Sequence, residues 1–117
     1  MAEFVDPETF DAKTAVFDVR RHRHGEQIRG AVHYDPKALE AAERPSLPVA
    51  HNGAIVVYGD DEASGERIAS HLQSSGYANV RVLRGGIDAW KQKGLPVEEA
   101  TQDQPVPDVP DAGIPLG

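Results

Sequence analysis

There is no cysteine among the 117 residues, which excludes disulfides, thiolate metal sites and thiol nucleophiles together. No apolar run approaches the roughly 18 to 20 residues that a helix needs to cross a bilayer. The opening residues, Met-Ala-Glu-Phe-Val-Asp-Pro, also lack the basic and apolar regions of a signal peptide. The expectation is a cytoplasmic domain with no membrane partner. Basic residues run out early: from Glu98 onward the chain has five acids and no Lys or Arg. Residues 1–97 therefore hold all 12 basic side chains against 14 of the 19 acidic ones, within a net charge of −7. A nucleic-acid binder needs a basic excess to neutralise phosphates. The one basic run, Arg20-Arg21-His22-Arg23-His24, is too short to supply it, and no nucleic-acid partner is expected.

What is present is the composition of an ordinary globular domain, 39% hydrophobic and 26% charged. Asp6-Pro7-Glu8 has the grammar of a helix start: an N-cap acceptor, proline at the first helical position and a carboxylate near the positive end of the dipole. A short helix to about Ala12 follows from it. Ala15-Val16-Phe17-Asp18-Val19 reads as a buried strand, residues 20–30 as polar loop, and Ala31-Val32-His33 as a brief second strand. Asp35-Pro36 repeats the start signal for a helix over 36–43, which Pro45 and Pro48 end. Residues 53–58 are apolar without alternation, as in a central strand covered on both faces.

A loop over 59–63 leads to a helix over 64–75, with Ile68, Ala69 and Leu72 on one face and Gly76 as its C-terminal cap. Residues 80–83 form another strand and 86–93 another helix, on which Trp90 at helical spacing from Ile87 reads as core packing. Alternation of strands and helices points to an α/β fold with right-handed crossovers, a mostly parallel sheet of about five strands and helices on both faces. Residues 1–99 are read as one domain and 100–117, with four prolines among acids and glycines, as a flexible or polyproline-like acidic tail.

In such sheets ligands lie beyond the carboxyl ends of the strands, which nominates the loop Gly59, Asp60, Asp61, Glu62 and Ala63 after the central strand, with Ser64 at the helix start. It leads into a helix N-terminus, a natural anion cradle, yet its three carboxylates compete for the same donors. Asp61 or Ser64 is expected to cap the helix. A Mg²⁺ or Ca²⁺ site on adjacent carboxylates is the minority alternative, and no metal or cofactor is expected. His22, His24 and His33 are close in sequence, but His22 and His24, which would share one face if extended, have no third ligand at a recognisable zinc spacing, and a solvated loop histidine is the expectation. Asp18 and Arg20 leave the first strand together, as a buried charge-assisted pair or loop-bracing hydrogen bonds would require.

From Ile55 to Val97 the order of these pieces resembles the C-terminal half of a rhodanese domain. The strand Ile55-Val56-Val57-Tyr58 is followed by a six-residue loop, a helix and the Gly76-Tyr77 turn. Then come residues 80–83, Gly85-Gly86-Ile87-Asp88-Ala89-Trp90 and the ending Gly94-Leu95-Pro96-Val97. Phe17-Asp18-Val19-Arg20 and Ile28-Arg29-Gly30-Ala31-Val32 resemble the family's first-half motifs, so the likeness covers about residues 4–98. It implies a three-layer rhodanese-like fold and, in active members, transfer of sulfane sulfur through a cysteine persulfide on the first loop residue. That position is Gly59 here, the loop arginine falls at Ser64, and the histidine of the Gly-His-Ile motif falls at Gln27. The resemblance thus points to a catalytically inactive module that binds a protein partner or a small anion. The alternative is a thiosulfate or persulfide sulfurtransferase whose cysteine has been mutated or is supplied by a partner.

Overall fold

The computed structural model describes residues 3–7, 14–21, 25–43 and 45–100; the helix expected to about Ala12, His22, His24 and the tail over 101–117 lie outside them. In chain order the elements are β1 (Glu3–Val5), β2 (Ala15–Asp18), β3 (Glu26–Ile28), β4 (Val32–His33), α1 (Pro36–Ala41), β5 (Ile55–Tyr58), α2 (Glu62–Ser74), β6 (Val80–Leu83), α3 (Gly86–Gln92) and β7 (Val97–Glu99). Five strands form one sheet in the order β1-β6-β5-β2-β4, and every neighbouring pair is parallel.

All four residues of β5 are buried, because each face of the sheet is covered. Ile55 and Val57 pack with Leu39 of α1 and with Ile68, Ala69 and Leu72 of α2. Val56 and Tyr58 point the other way, onto Trp90 of α3 and onto Ile28 and Val97 of the small sheet β3-β7. This is the period-2 alternation of a strand with apolar neighbours on both sides.

Local chemistry sets the helix ends. Asp35 caps α1 by accepting from Lys37 N, with Pro36 next. Gly76 adopts φ 106°, and at the end of α2 the amides of Gly76 and Tyr77 reach back to the Gln73 and Leu72 carbonyls at 3.1 Å each. Gly94, φ 71°, closes α3 in the same way, with its own amide on Lys91 O and that of Leu95 on Trp90 O. This paired closure satisfies carbonyls the helix leaves unbonded, and its left-handed residue favours glycine.

Three features depart from the sequence expectations. Helix α2 begins at Glu62, two residues early, because Asp61 takes the cap. Residues 26–28, read as loop, form a strand that pairs antiparallel with 97–99. Strand β1, which no apolar run announced, joins the sheet edge beside β6.

Leu72 has none of its surface exposed. Leu72→Ala is expected to lower stability by about 2–5 kcal/mol through lost burial and the cavity left behind, measured as a lower urea midpoint with an unchanged slope.

Candidate functional site

Parity along β5 decides which way each residue at its end points. Tyr58 faces α3 and the small sheet; Gly59 follows it at the start of the loop and is buried against the first turn of α2. A Cβ placed on Gly59 would lie 3.0 Å from Ser64 Cβ and 3.1 Å from Gly65 N, closer than ordinary van der Waals contact. Gly65 is as tight from the other side, where a Cβ would meet Val82 Cγ1 at 3.1 Å. Helix and strand backbones approach here because neither carries a side chain at the crossing.

The three carboxylates of the loop each accept a backbone N–H from a different segment. Asp60 Oδ2 takes Arg21 N at 2.9 Å, beyond the end of β2. Asp61 Oδ1 takes Ser64 N at 2.7 Å and caps α2. Glu62 Oε2 takes Gly85 N at 2.8 Å, in the turn from β6 to α3. The hydrogen bonds from the Ser64 backbone and side chain hold the Asp61 carboxyl below its ordinary pKa, since they favour its charged form.

Behind the loop lies a buried polar cluster. Arg20 Nη2 is 2.7 Å from Asp18 Oδ2 and Nε is 3.0 Å from Oδ1, a two-point pair. Side-chain exposure is 8% for Arg20 and zero for Asp18. Burial alone would lower the guanidinium pKa, but the hydrogen bond and charge of Asp18 outweigh it and the net shift is upward. Nη2 also donates to the Glu26 carbonyl at 2.7 Å, which ties β3 to the end of β2. Tyr58 completes the cluster: its hydroxyl donates to Asp18 Oδ2 at 3.0 Å and accepts Ile28 N at 3.1 Å. Burial first, then the Asp18 charge, pushes that hydroxyl far above the tyrosine range, so it stays a donor. The Arg20 guanidinium lies over the Tyr58 ring, 5.4 Å from its centroid.

Between loop and α3 opens a cleft of about 410 Å³, lined by Arg20, the four residues 59–62, Leu83, Gly85, Gly86, Ile87 and Asp88. Four carboxylates face one guanidinium there, and that guanidinium is already matched by Asp18. Its potential is therefore negative, the opposite of a cradle for an anionic substrate.

The structure brings Gly59, Asp60, Asp61 and Glu62 together with Arg20 at this cleft; Ala63 and Ser64 belong to the first turn of α2, and Asp18 lies behind Arg20. His33 is buried, its Nε2 2.9 Å from the Arg20 carbonyl. Gln27 is fully buried, donating to the Ala31 carbonyl at 2.8 Å and to Glu98 Oε2 at 2.9 Å. Among the described residues, no group of three or more His, Asp or Glu is placed to hold a metal ion, and no helix is long and apolar enough to cross a membrane. Tyr58 and Asp88 were not among the sequence candidates. Tyr58 read only as the last residue of an apolar strand, and nothing local places Asp88 opposite a loop more than twenty residues earlier.

A family model described as a rhodanese-like domain matches residues 5–93. Over 66 residues the chain is 35% identical to the thiosulfate sulfurtransferase YnjE of Escherichia coli (strain K12), a match that takes in 56% of this chain and 15% of that protein. Among solved structures, the Alr3790 protein from Anabaena sp. superposes with a TM-score of 0.66 at 26% identity, over 80% of this chain and 81% of that one. A thiosulfate sulfurtransferase from Pseudomonas aeruginosa gives 0.67 at 26% identity, over 84% of this chain and 19% of that one. The chain thus spans under a fifth of the length of both sulfurtransferases.

Two predictions follow the charges. Asp18→Ala leaves the Arg20 guanidinium buried without its partner and is expected to cost about 3–5 kcal/mol, against about 1–3 kcal/mol for Tyr58→Phe, both read from denaturant unfolding. Asp61 has a folded pKa below its unfolded one, so its contribution is present at neutral pH and is lost as pH falls below about 4, through the folded value. Asp61→Asn keeps a cap without a titrating group; its stability should fall less steeply with acid than that of the parent, in melts from pH 6 to 2 (approximate range).

Proposed function

Because the chain belongs to the rhodanese-like domain family, homologous to thiosulfate sulfurtransferases, we propose that it is a member without sulfur-carrying chemistry, serving as a binding or regulatory module through the loop over residues 59–64. One observation carries this reading: the loop position that would hold the nucleophile is a glycine, set tightly against the first turn of α2. The chemistry of active members requires a thiolate. Gly59 offers none, and the first turn of α2 stands within 3.0–3.1 Å of the Cβ that a cysteine would bring.

The electrostatics support the same conclusion. A reactive cysteine needs a positive surrounding that lowers its pKa. Here the neighbours are Asp60, Asp61, Glu62 and Asp88, and the loop position implied for an arginine holds Ser64. The backbone donors of Arg21, Ser64 and Gly85 are already engaged by carboxylates of this loop. What is left is an accessible, negatively charged cleft on a braced frame, suited to recognition rather than turnover.

The test is sulfur transfer from thiosulfate to cyanide by the purified chain and by Gly59→Cys. The unaltered chain is expected to show no turnover above the buffer rate, even after incubation with a thiol. Gly59→Cys is expected to fold and to form persulfide poorly, because the added Cβ forces Ser64 aside and the carboxylates hold the thiol at or above the ordinary value of about 8.5. Turnover by the unaltered chain would overturn the reading.

A further inference from the structure

The chain has two asparagines, and their surroundings differ in what governs attack by the following backbone nitrogen on the side-chain carboxamide. Asn52 is exposed in the turn before β5, and its carboxamide makes no hydrogen bond among the described residues. The residue after it is Gly53, which has no Cβ to obstruct the approach. Asn79, whose carboxamide likewise makes no hydrogen bond among the described residues, is half-buried; its backbone carbonyl accepts Ile55 N at 2.9 Å, and it is followed by the β-branched Val80, 2% exposed at the start of β6.

We infer that Asn52 is a site of spontaneous deamidation and backbone isomerisation. The Gly53 amide gives its proton to solvent base, and its nitrogen attacks Asn52 Cγ. The new C–N bond closes a five-membered succinimide as the carboxamide nitrogen leaves as ammonia. Water then adds to either ring carbonyl and opens it to aspartate or isoaspartate. One water is consumed, one ammonia is released and no electrons are exchanged.

The fold governs the rate through the turn itself. Gly53 N–H donates to the Ala50 carbonyl at 2.9 Å, so its proton reaches solvent only when the turn opens. His51 helps hold the turn closed: its ring stacks on Tyr77 with centroids 4.5 Å apart, and its carbonyl accepts Ala78 N at 2.9 Å. The reaction therefore draws on local fraying, not global unfolding. The isoaspartyl product inserts a methylene into the main chain beside His51 and adds a negative charge, which loosens the stack on Tyr77.

The intact chain is incubated folded, and in parallel unfolded in urea, in mildly alkaline buffer at body temperature, then digested for peptide mass spectrometry. In the folded chain the peptide holding Asn52 is expected to gain one mass unit and to split into aspartyl and isoaspartyl forms, about tenfold more slowly than in urea because the turn must first open. Asn79 and an Asn52→Gln variant should stay unchanged. Persistence of Asn52 in the folded chain long after the unfolded sample has converted about tenfold over, or conversion of Asn79 at the same rate as Asn52, overturns the inference.

Discussion

A strand covered on both faces sends successive side chains into two separate cores, and at the end of β5 that alternation becomes the geometry of the site. Ile55 and Val57 belong to the core under α1 and α2; Val56 and Tyr58 belong to the one under α3 and the small sheet. Tyr58 is thereby directed at Asp18 and Ile28 N. Gly59 meets the start of α2, where a Cβ would lie 3.0 Å from Ser64 Cβ and 3.1 Å from Gly65 N. The brace and the tight approach of the loop to α2 follow from one parity rule applied to adjacent residues.

The brace and the loop are electrostatically distinct. Asp18, Arg20 and Tyr58 form a buried set whose charges cancel and whose hydrogen bonds join β2, β5 and β3. Such a set is costly to break, because an ion left behind in a low-dielectric interior has no solvent to turn to. The carboxylates of Asp60, Asp61 and Glu62 are exposed, so their bonds to backbone amides contribute little individually. Together they fasten the loop to the end of β2, to α2 and to the turn before α3. They also set the sign of the cleft, since Arg20 is spent on Asp18.

Much of this was legible in the sequence because it is written locally. The strand over 80–83, the cap at Asp35 and the glycines that close α2 and α3 depend on neighbours within one turn. The α/β order and the rhodanese-like likeness are sums of such signals. What stayed hidden depends on distant partners. Strand β3 exists because residues 26–28 meet 97–99, and a three-residue strand of Glu, Gln and Ile carries no period that sets it apart from loop. Arg21 and Asp60 are 39 positions apart, and Asp88 reaches the cleft only because α3 packs beside the loop. Helix α2 started early for a subtler reason: two candidate caps lay three residues apart, and the Asp61 side chain won by reaching Ser64 N.

The same division explains how the fold accommodates a glycine at residue 59. None of the hydrogen bonds among Asp18, Arg20, Tyr58 and Ile28 passes through residue 59, and neither apolar core includes it. Residue 59 is therefore outside these interactions, and a glycine there leaves them intact. With no Cβ between them, the strand end and the first turn of α2 sit a few tenths of an ångström closer than a side chain would ordinarily leave them. The carboxylate contacts then fix the loop in that position. A side chain at residue 59 would thus need Ser64 and Gly65 to give by a few tenths of an ångström, and it would stand beside a cleft lined by four carboxylates.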